Sequence, residues 1–252
     1  MRARRNRQGE RPVAEQWFVS ATSLVRSALK SQDTMLALVA GYVDTLGFVA
    51  LFGLFTAHVT GNFVLIGAEL LGAGQGVLMK LLAFPAFMLG IVLSNVVARS
   101  TRSGPGGTVA RSLFLLQGLF LVTFLIAGLY AMPIRNADAP GALLCGILGT
   151  IAMGIQNAHG KLVRHGAVPN TVMTGNVTQV VLDALDLLIP RLDSSVERSL
   201  VRQRFLATLT TILSFGAGAV AGALGFRFAS FWAILLPIGL IVLLAARGGG
   251  DA

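Results

Sequence analysis

The sequence predicts an all-α, polytopic membrane protein of about six spanning helices and two shorter half-helix segments, built as two internal repeats of opposite orientation. Three observations predict it. Of 252 residues, 54% are hydrophobic and only 12% charged, with a mean hydropathy of +0.75, whereas a soluble domain carries about 25% charged residues. Apolar runs of spanning length, about 17–25 residues, lie near residues 35–55, 79–98, 111–132, 141–159, 205–225 and 228–246. The tripeptide Thr-Gly-Asn occurs at 60–62 and again at 174–176, inside two shorter apolar segments over 59–72 and 171–189.

The first 33 residues form a basic tail. Its long basic region, followed by a run of spanning length without a small-x-small cleavage site, does not read as a cleavable signal. Residues 1–14 read as disordered. From Phe18 onward, Phe18, Ala21, Thr22, Val25 and Leu29 recur at helical spacing beside Trp17, which suits a short interfacial helix; a frayed cytoplasmic tail is the alternative. Residues 34–252 then make one transmembrane domain, with repeat one over about 35–132 and repeat two over about 141–246.

The net charge of +9 does not imply nucleic-acid binding, because the basic residues fall between apolar runs. They read as topology signals. If all eight apolar segments span, the charged loops show no bias between the two sides. If the two Thr-Gly-Asn segments dip in and return, Arg99, Arg102, Arg111, Lys161, Arg164, Arg191, Arg198, Arg202 and Arg204 share the side of the basic N-terminus. Lys80, Arg135 and Arg227 lie opposite. The second arrangement obeys the positive-inside bias and places the N-terminus in the cytoplasm. Each repeat then holds an odd number of spans, so the halves insert in opposite senses, a plan common in transporters. Eight spanning helices remain the alternative.

The halves match beyond the tripeptide. "GYVD" at 41–44 precedes the first copy and "GIQN" at 154–157 the second, pairing Gly41 with Gly154 and Asp44 with Asn157. After each half-helix comes a basic residue and an apolar run, "KLLAFPAFMLGIVLSN" and "RFLATLTTILSFGAGAVAG". Asp44 falls near the middle of its run, however, and Asn157 near the end of its own.

Thr60, Gly61 and Asn62, and likewise Thr174, Gly175 and Asn176, read as the starts of two half-helices. Thr and Asn can cap free amides there, and Gly permits a tight turn or close approach. Helix N-termini at membrane depth would favour an anionic or polar group. Packing and capping alone would also account for the tripeptide. Glu69 and Asp183 each lie seven residues past the Asn of their copy. Asn62 and Glu69 share a helical face, as do Asn176, Gln179, Asp183 and Asp186. Carboxylates in membrane segments are costly and usually functional. A buried carboxylate also has its pKa raised, which suits proton coupling. For Asp44 the competing reading is a hydrogen-bonded structural residue, and for Glu69 and Asp183 a side chain reaching to the interface.

Other candidates carry less. His58, His159 and His165 lie at segment ends without ligand spacing, so no metal or cofactor is expected. Cys145 reads as a small core residue, and Gly218-Ala-Val-Ala-Gly222 as a close-packing stripe. Asp193 and Glu197 read as solvated loop residues. No catalytic constellation appears, which argues against an enzyme.

The stretches "GYVDTLGFVALFGLFTAHVTGNFVLIG" and "GIQNAHGKLVRHGAVPNTVMTGNVTQVVLDAL" resemble the two signature regions of the YoaK-like bacterial membrane proteins, a domain-of-unknown-function family. The similarity covers about residues 33–246. It implies a multi-helix protein of the bacterial inner membrane and no particular activity. The residues themselves support a transporter or channel for a small polar solute or ion, with Asp44, Thr60, Gly61, Asn62, Glu69, Asn157, Thr174, Gly175, Asn176, Gln179 and Asp183 along the path. A non-transporting scaffold or an intramembrane enzyme is the alternative. The expected partners are the lipid bilayer and the solute, with a homo-oligomer left open. Single cysteines replacing Arg102, Arg164 and Arg198 should be labelled by an impermeant thiol reagent only from the cytoplasmic face, and one replacing Arg135 only from the other. Labelling of 102 and 164 from outside restores the eight-span arrangement.

Overall fold

The computed structural model describes residues 32–101, 108–163, 168, 170–189 and 195–247. The tail and its expected interfacial helix lie outside these residues, as do Arg102, Arg164, His165, Arg191 and Asp193. All the regular structure in the described residues is helical: α1 (Gln32–Ala50), α2 (Gly61–Glu69), α3 (Val77–Thr101), α4 (Thr108–Ala131), α5 (Pro140–Leu162), α6 (Met173–Leu188), α7 (Ser195–Ala229), a 3-10 turn (Ser230–Ile234) and α8 (Leu235–Arg247).

Local chemistry sets several of these limits. Asp33 in the first turn of α1 complements the helix dipole. The helix ends where Phe52 and Gly53 both take positive φ, +52° and +80°, and reverse the chain. Pro140 opens α5, where its missing N–H leaves nothing unsatisfied, and His159 and Lys161 sit in its last turn. Because α1 stops at Ala50, Asp44 lies six residues from its end and Asn157 five from the end of α5. The mismatch expected from the apolar run over 35–55 therefore disappears: residues 51–55 belong to a loop.

Among the described residues, five stretches are long and apolar enough to cross a membrane: α1, α3, α4, α5 and the continuous stretch Val196–Arg247. The last contains both remaining apolar runs. α7 is 35 residues long, about 52 Å at 1.5 Å per residue, and carries Arg198, Arg202 and Arg204 in its opening turns rather than in a loop. The run expected over 228–246 is instead the 3-10 turn followed by the 13-residue α8. The break falls at Ser230, whose φ is +51°. Tyr42 Oη donates to the Ala233 carbonyl at 2.9 Å and fastens this turn to α1. The nine residues of α2 rise about 13 Å, less than half of a hydrocarbon core about 30 Å thick. α2 does not cross.

The pairing of helices has a regular pattern. α1 packs most extensively on α7, and α3 on α5; α2 lies on α3, and α6 on α7; α4 meets α8. Exchanging α1–α4 for α5–α8 maps these pairings onto one another, but not all of the packing follows: α4 also packs extensively on α5, whereas α8 touches α1 only slightly. Glycines set the two main crossings. A Cβ on Gly41 would overlap the Phe215 carbonyl, and one on Gly218 or Gly222 the carbonyl of Leu38 or Tyr42. At the other crossing, a Cβ on Gly90 would overlap the Ile151 carbonyl and one on Gly154 that of Phe87. The Gly218–Gly222 stripe is therefore a close-packing surface, and Cys145 is a buried core residue.

Overpacking a well-filled contact costs about 1–3 kcal/mol. Gly154→Ala and Gly218→Ala should each lower the thermal unfolding temperature in detergent. Gly216→Ala, where a Cβ meets nothing within 4 Å, should leave it unchanged.

Candidate functional site

The two half-helices are reached through irregular backbone, and polar side chains on neighbouring elements take up its free groups. In the first half, Asp44 of α1 points at the loop ahead of α2. Its Oδ1 accepts the backbone N–H of Thr56 at 2.7 Å and of Ala57 at 2.6 Å, and the Thr56 hydroxyl at 3.3 Å. Its Oδ2 pairs with His58 Nδ1 at 2.8 Å. Asn62 then closes the same loop on itself. Its Oδ1 accepts the Phe55 N–H at 3.0 Å, and its Nδ2 donates to the Phe55 carbonyl at 2.9 Å.

The second half uses other side chains at matching places. Asn157 Nδ2 donates to Thr171 Oγ1 at 2.6 Å. Beside it, buried Gln156 donates to the Leu36 carbonyl of α1 at 2.7 Å and to Asn170 Oδ1 at 3.3 Å, and accepts from Gln117 of α4 at 2.7 Å. Thr56 and Asn170, like Ala57 and Thr171, are separated by the same 114 positions as the two tripeptides. In both halves, then, a polar residue near the end of the first long helix holds the loop ahead of the half-helix.

Thr-Gly-Asn does not cap as the sequence suggests. Thr60 makes no side-chain cap, and its backbone is already helical at φ −65° and ψ −24°. A preceding turn takes the first amides: Gly61 N–H donates to the His58 carbonyl at 2.8 Å and Asn62 N–H to that of Val59 at 3.0 Å. In the second copy the N-cap position is Val172, so Thr174, Gly175 and Asn176 lie inside the first turns of α6. Nor do these glycines make a tight turn. Gly61 is needed for space, since a Cβ there would stand 3.0 Å from the Phe55 ring, whereas Gly175 would meet only Val172 at 3.6 Å.

The carboxylates at the far ends of the half-helices have cations of their own. Glu69 Oε1 pairs with Lys80 Nζ on α3, which also donates to the carbonyls of Phe52 at 2.7 Å and Gln75 at 3.0 Å. Asp183 pairs with Arg204 on α7, with Nε 3.0 Å from both carboxylate oxygens, and Gln179 donates to Asp183 Oδ1 at 2.7 Å. Asn176 and Asp183 are buried on one face, while Asp186 on the same stripe is exposed. Neither Glu69 nor Asp183 meets the other; each joins its half-helix to the next long helix.

Sequence spacing does not reveal Lys80 and Arg204 as the partners, although a basic residue after each half-helix is visible there. Lys80 reads as a loop charge, yet it is fully buried in the first turn of α3. His58 also gains a role that ligand spacing does not suggest. Its ring lies edge-on to Phe215 of α7 at 5.1 Å, and its side chain is 30% exposed. Among the described residues no group of three His, Cys, Asp or Glu side chains could hold a metal ion.

Residues 34–247 match the family described as "Protein of unknown function (DUF1275)". The chain is also 28% identical over 223 residues to the UPF0700 transmembrane protein YoaK of Bacillus subtilis (strain 168), covering 86% of this chain and 95% of that protein. No solved structure matches. Asn62→Ala removes both bonds to Phe55 and should cost about 1–3 kcal/mol. Thr60→Ala should cost little, because its side chain caps nothing. Thermal unfolding of the two purified variants makes the comparison.

Proposed function

We propose that this chain, which belongs to the DUF1275 family, moves a small polar solute across the bacterial inner membrane along a path between its two halves, with its N-terminus in the cytoplasm. One observation carries the reading: in each half a short helix follows the first long one and lies on the next, α2 on α3 and α6 on α7, and the two main crossings, α1 on α7 and α3 on α5, exchange when the halves do. Inverted repeats with broken helices place solute sites at the interface between repeats, and irregular backbone at membrane depth is tolerated where it is buried in protein or lines a wet cavity.

Within this reading the Asp44–His58 pair is the best-placed proton-handling group. It sits ahead of α2 and reaches α7 through Phe215, so it stands where the halves meet. Glu69 and Asp183, each held by a cation, suit a joining role better than the proton-coupling role expected from sequence.

The test is uptake by reconstituted protein from a panel of small polar solutes at several pH values. His58→Gln and Asp44→Asn should flatten the pH dependence of uptake while leaving membrane abundance intact, and Asp183→Asn should leave the pH profile unchanged. Absence of uptake for every solute, with folded protein in the vesicles, removes the reading.

A further inference from the structure

The two ion pairs occupy matching places but differ in surroundings. Lys80 is 0% and Glu69 6% exposed, whereas Arg204 is 51% and Asp183 0% exposed. We infer that the pairs are the two ends of one gate, and that the structure holds the Glu69–Lys80 end shut and the Asp183–Arg204 end exposed. The inference rests on the transport reading and adds which end is closed and what closes it.

The shut end is built around the Lys80 ammonium. Its three acceptors come from three segments: Glu69 at the end of α2, Phe52 in the loop ahead of α2, and Gln75 in the loop after it. The last loop lies directly on the pair. Gly72, Gly74 and Gly76 hold positive φ there, which glycine adopts at little cost. A Cβ on Gly74 would stand 3.0 Å from Glu69 Cγ, and one on Gly76 3.3 Å from Lys80 Nζ.

The same end is under-satisfied. Glu69 Oε2 is buried without a hydrogen-bond partner among the described residues, and the three Lys80 protons are directed at other acceptors. Hydration supplies the missing donor, which offsets part of the cost of separating the pair. Asp183, by contrast, has both oxygens engaged, and its arginine is half-exposed. In a chain whose halves exchange roles, the other state has the reverse arrangement: Asp183–Arg204 enclosed and Glu69–Lys80 wet.

The experiment uses the full chain with Cys145, the one cysteine of the sequence, replaced by alanine and a reporter cysteine introduced as Ala57→Cys. Ala57 is buried in the loop that Lys80 fastens. An impermeant maleimide is applied to sealed vesicles of either orientation. Glu69→Gln should raise the labelling rate from the Lys80 face at least about tenfold, since a buried pair that loses one partner is strongly destabilised. Asp183→Asn should not raise it from that face. If Glu69→Gln does not accumulate, Gly74→Ala, which keeps both charges and crowds the loop, should raise the rate in the same way. An unchanged rate, or an equal rise from both faces, overturns the gate. Labelling needs no solute: a chain that carries nothing but opens at the Lys80 face keeps the gate and loses the transport reading, and the converse result separates them the other way.

Discussion

Backbone polar groups that leave a helix inside a membrane must find partners within the protein. Most of the polar chemistry of this chain answers that constraint. Between α1 and α3 the chain is helical only over the nine residues of α2. Asp44 takes two of the free amides, Asn62 takes both groups of Phe55, and Lys80 takes two carbonyls. Three polar side chains thus make a broken segment tolerable in an apolar setting, and each comes from a different helix. Those bonds also fix where α2 sits.

The long helices supply the complementary element. Glycines at both main crossings bring backbone against backbone, so α1 with α7 and α3 with α5 form a close-fitting frame. The half-helices lie outside those crossings and are fastened by ion pairs and aromatic contacts, such as Phe63 on Phe84 at 4.0 Å. Polar contacts thus fasten the short elements, and close steric fitting joins the long ones.

Apolar runs locate the long helices in the sequence because length and hydropathy are local properties, and the doubled tripeptide locates both half-helices. The stripe at Gly218 and Gly222 announces close packing. The loss of capping at Thr60 is not legible there, because a turn beginning at His58 already serves the first amides. His58 is easily passed over, since its partner Asp44 lies 14 residues away across a loop, where no helical spacing connects them. Lys80 and Arg204 are visible as matched basic residues, but a charge beside an apolar run reads first as a topology signal. Gln156 stands next to Asn157 in the "GIQN" motif, and its reach to Gln117, Asn170 and Leu36 depends on separate elements meeting.

The α1–α7 crossing also bears on how the protein is made. Gly41 meets its neighbours near Phe215 only after more than 170 further residues have been synthesised. At about 5–20 residues per second, that delay is on the order of 10–35 s. Throughout it, α1 holds a bare glycine face without the helix that covers it. α3 and α5 are much closer in sequence and can join sooner. The order of synthesis therefore lets the inner pair form first, while α1 waits for α7 and for the turn at Ala233 that Tyr42 fastens.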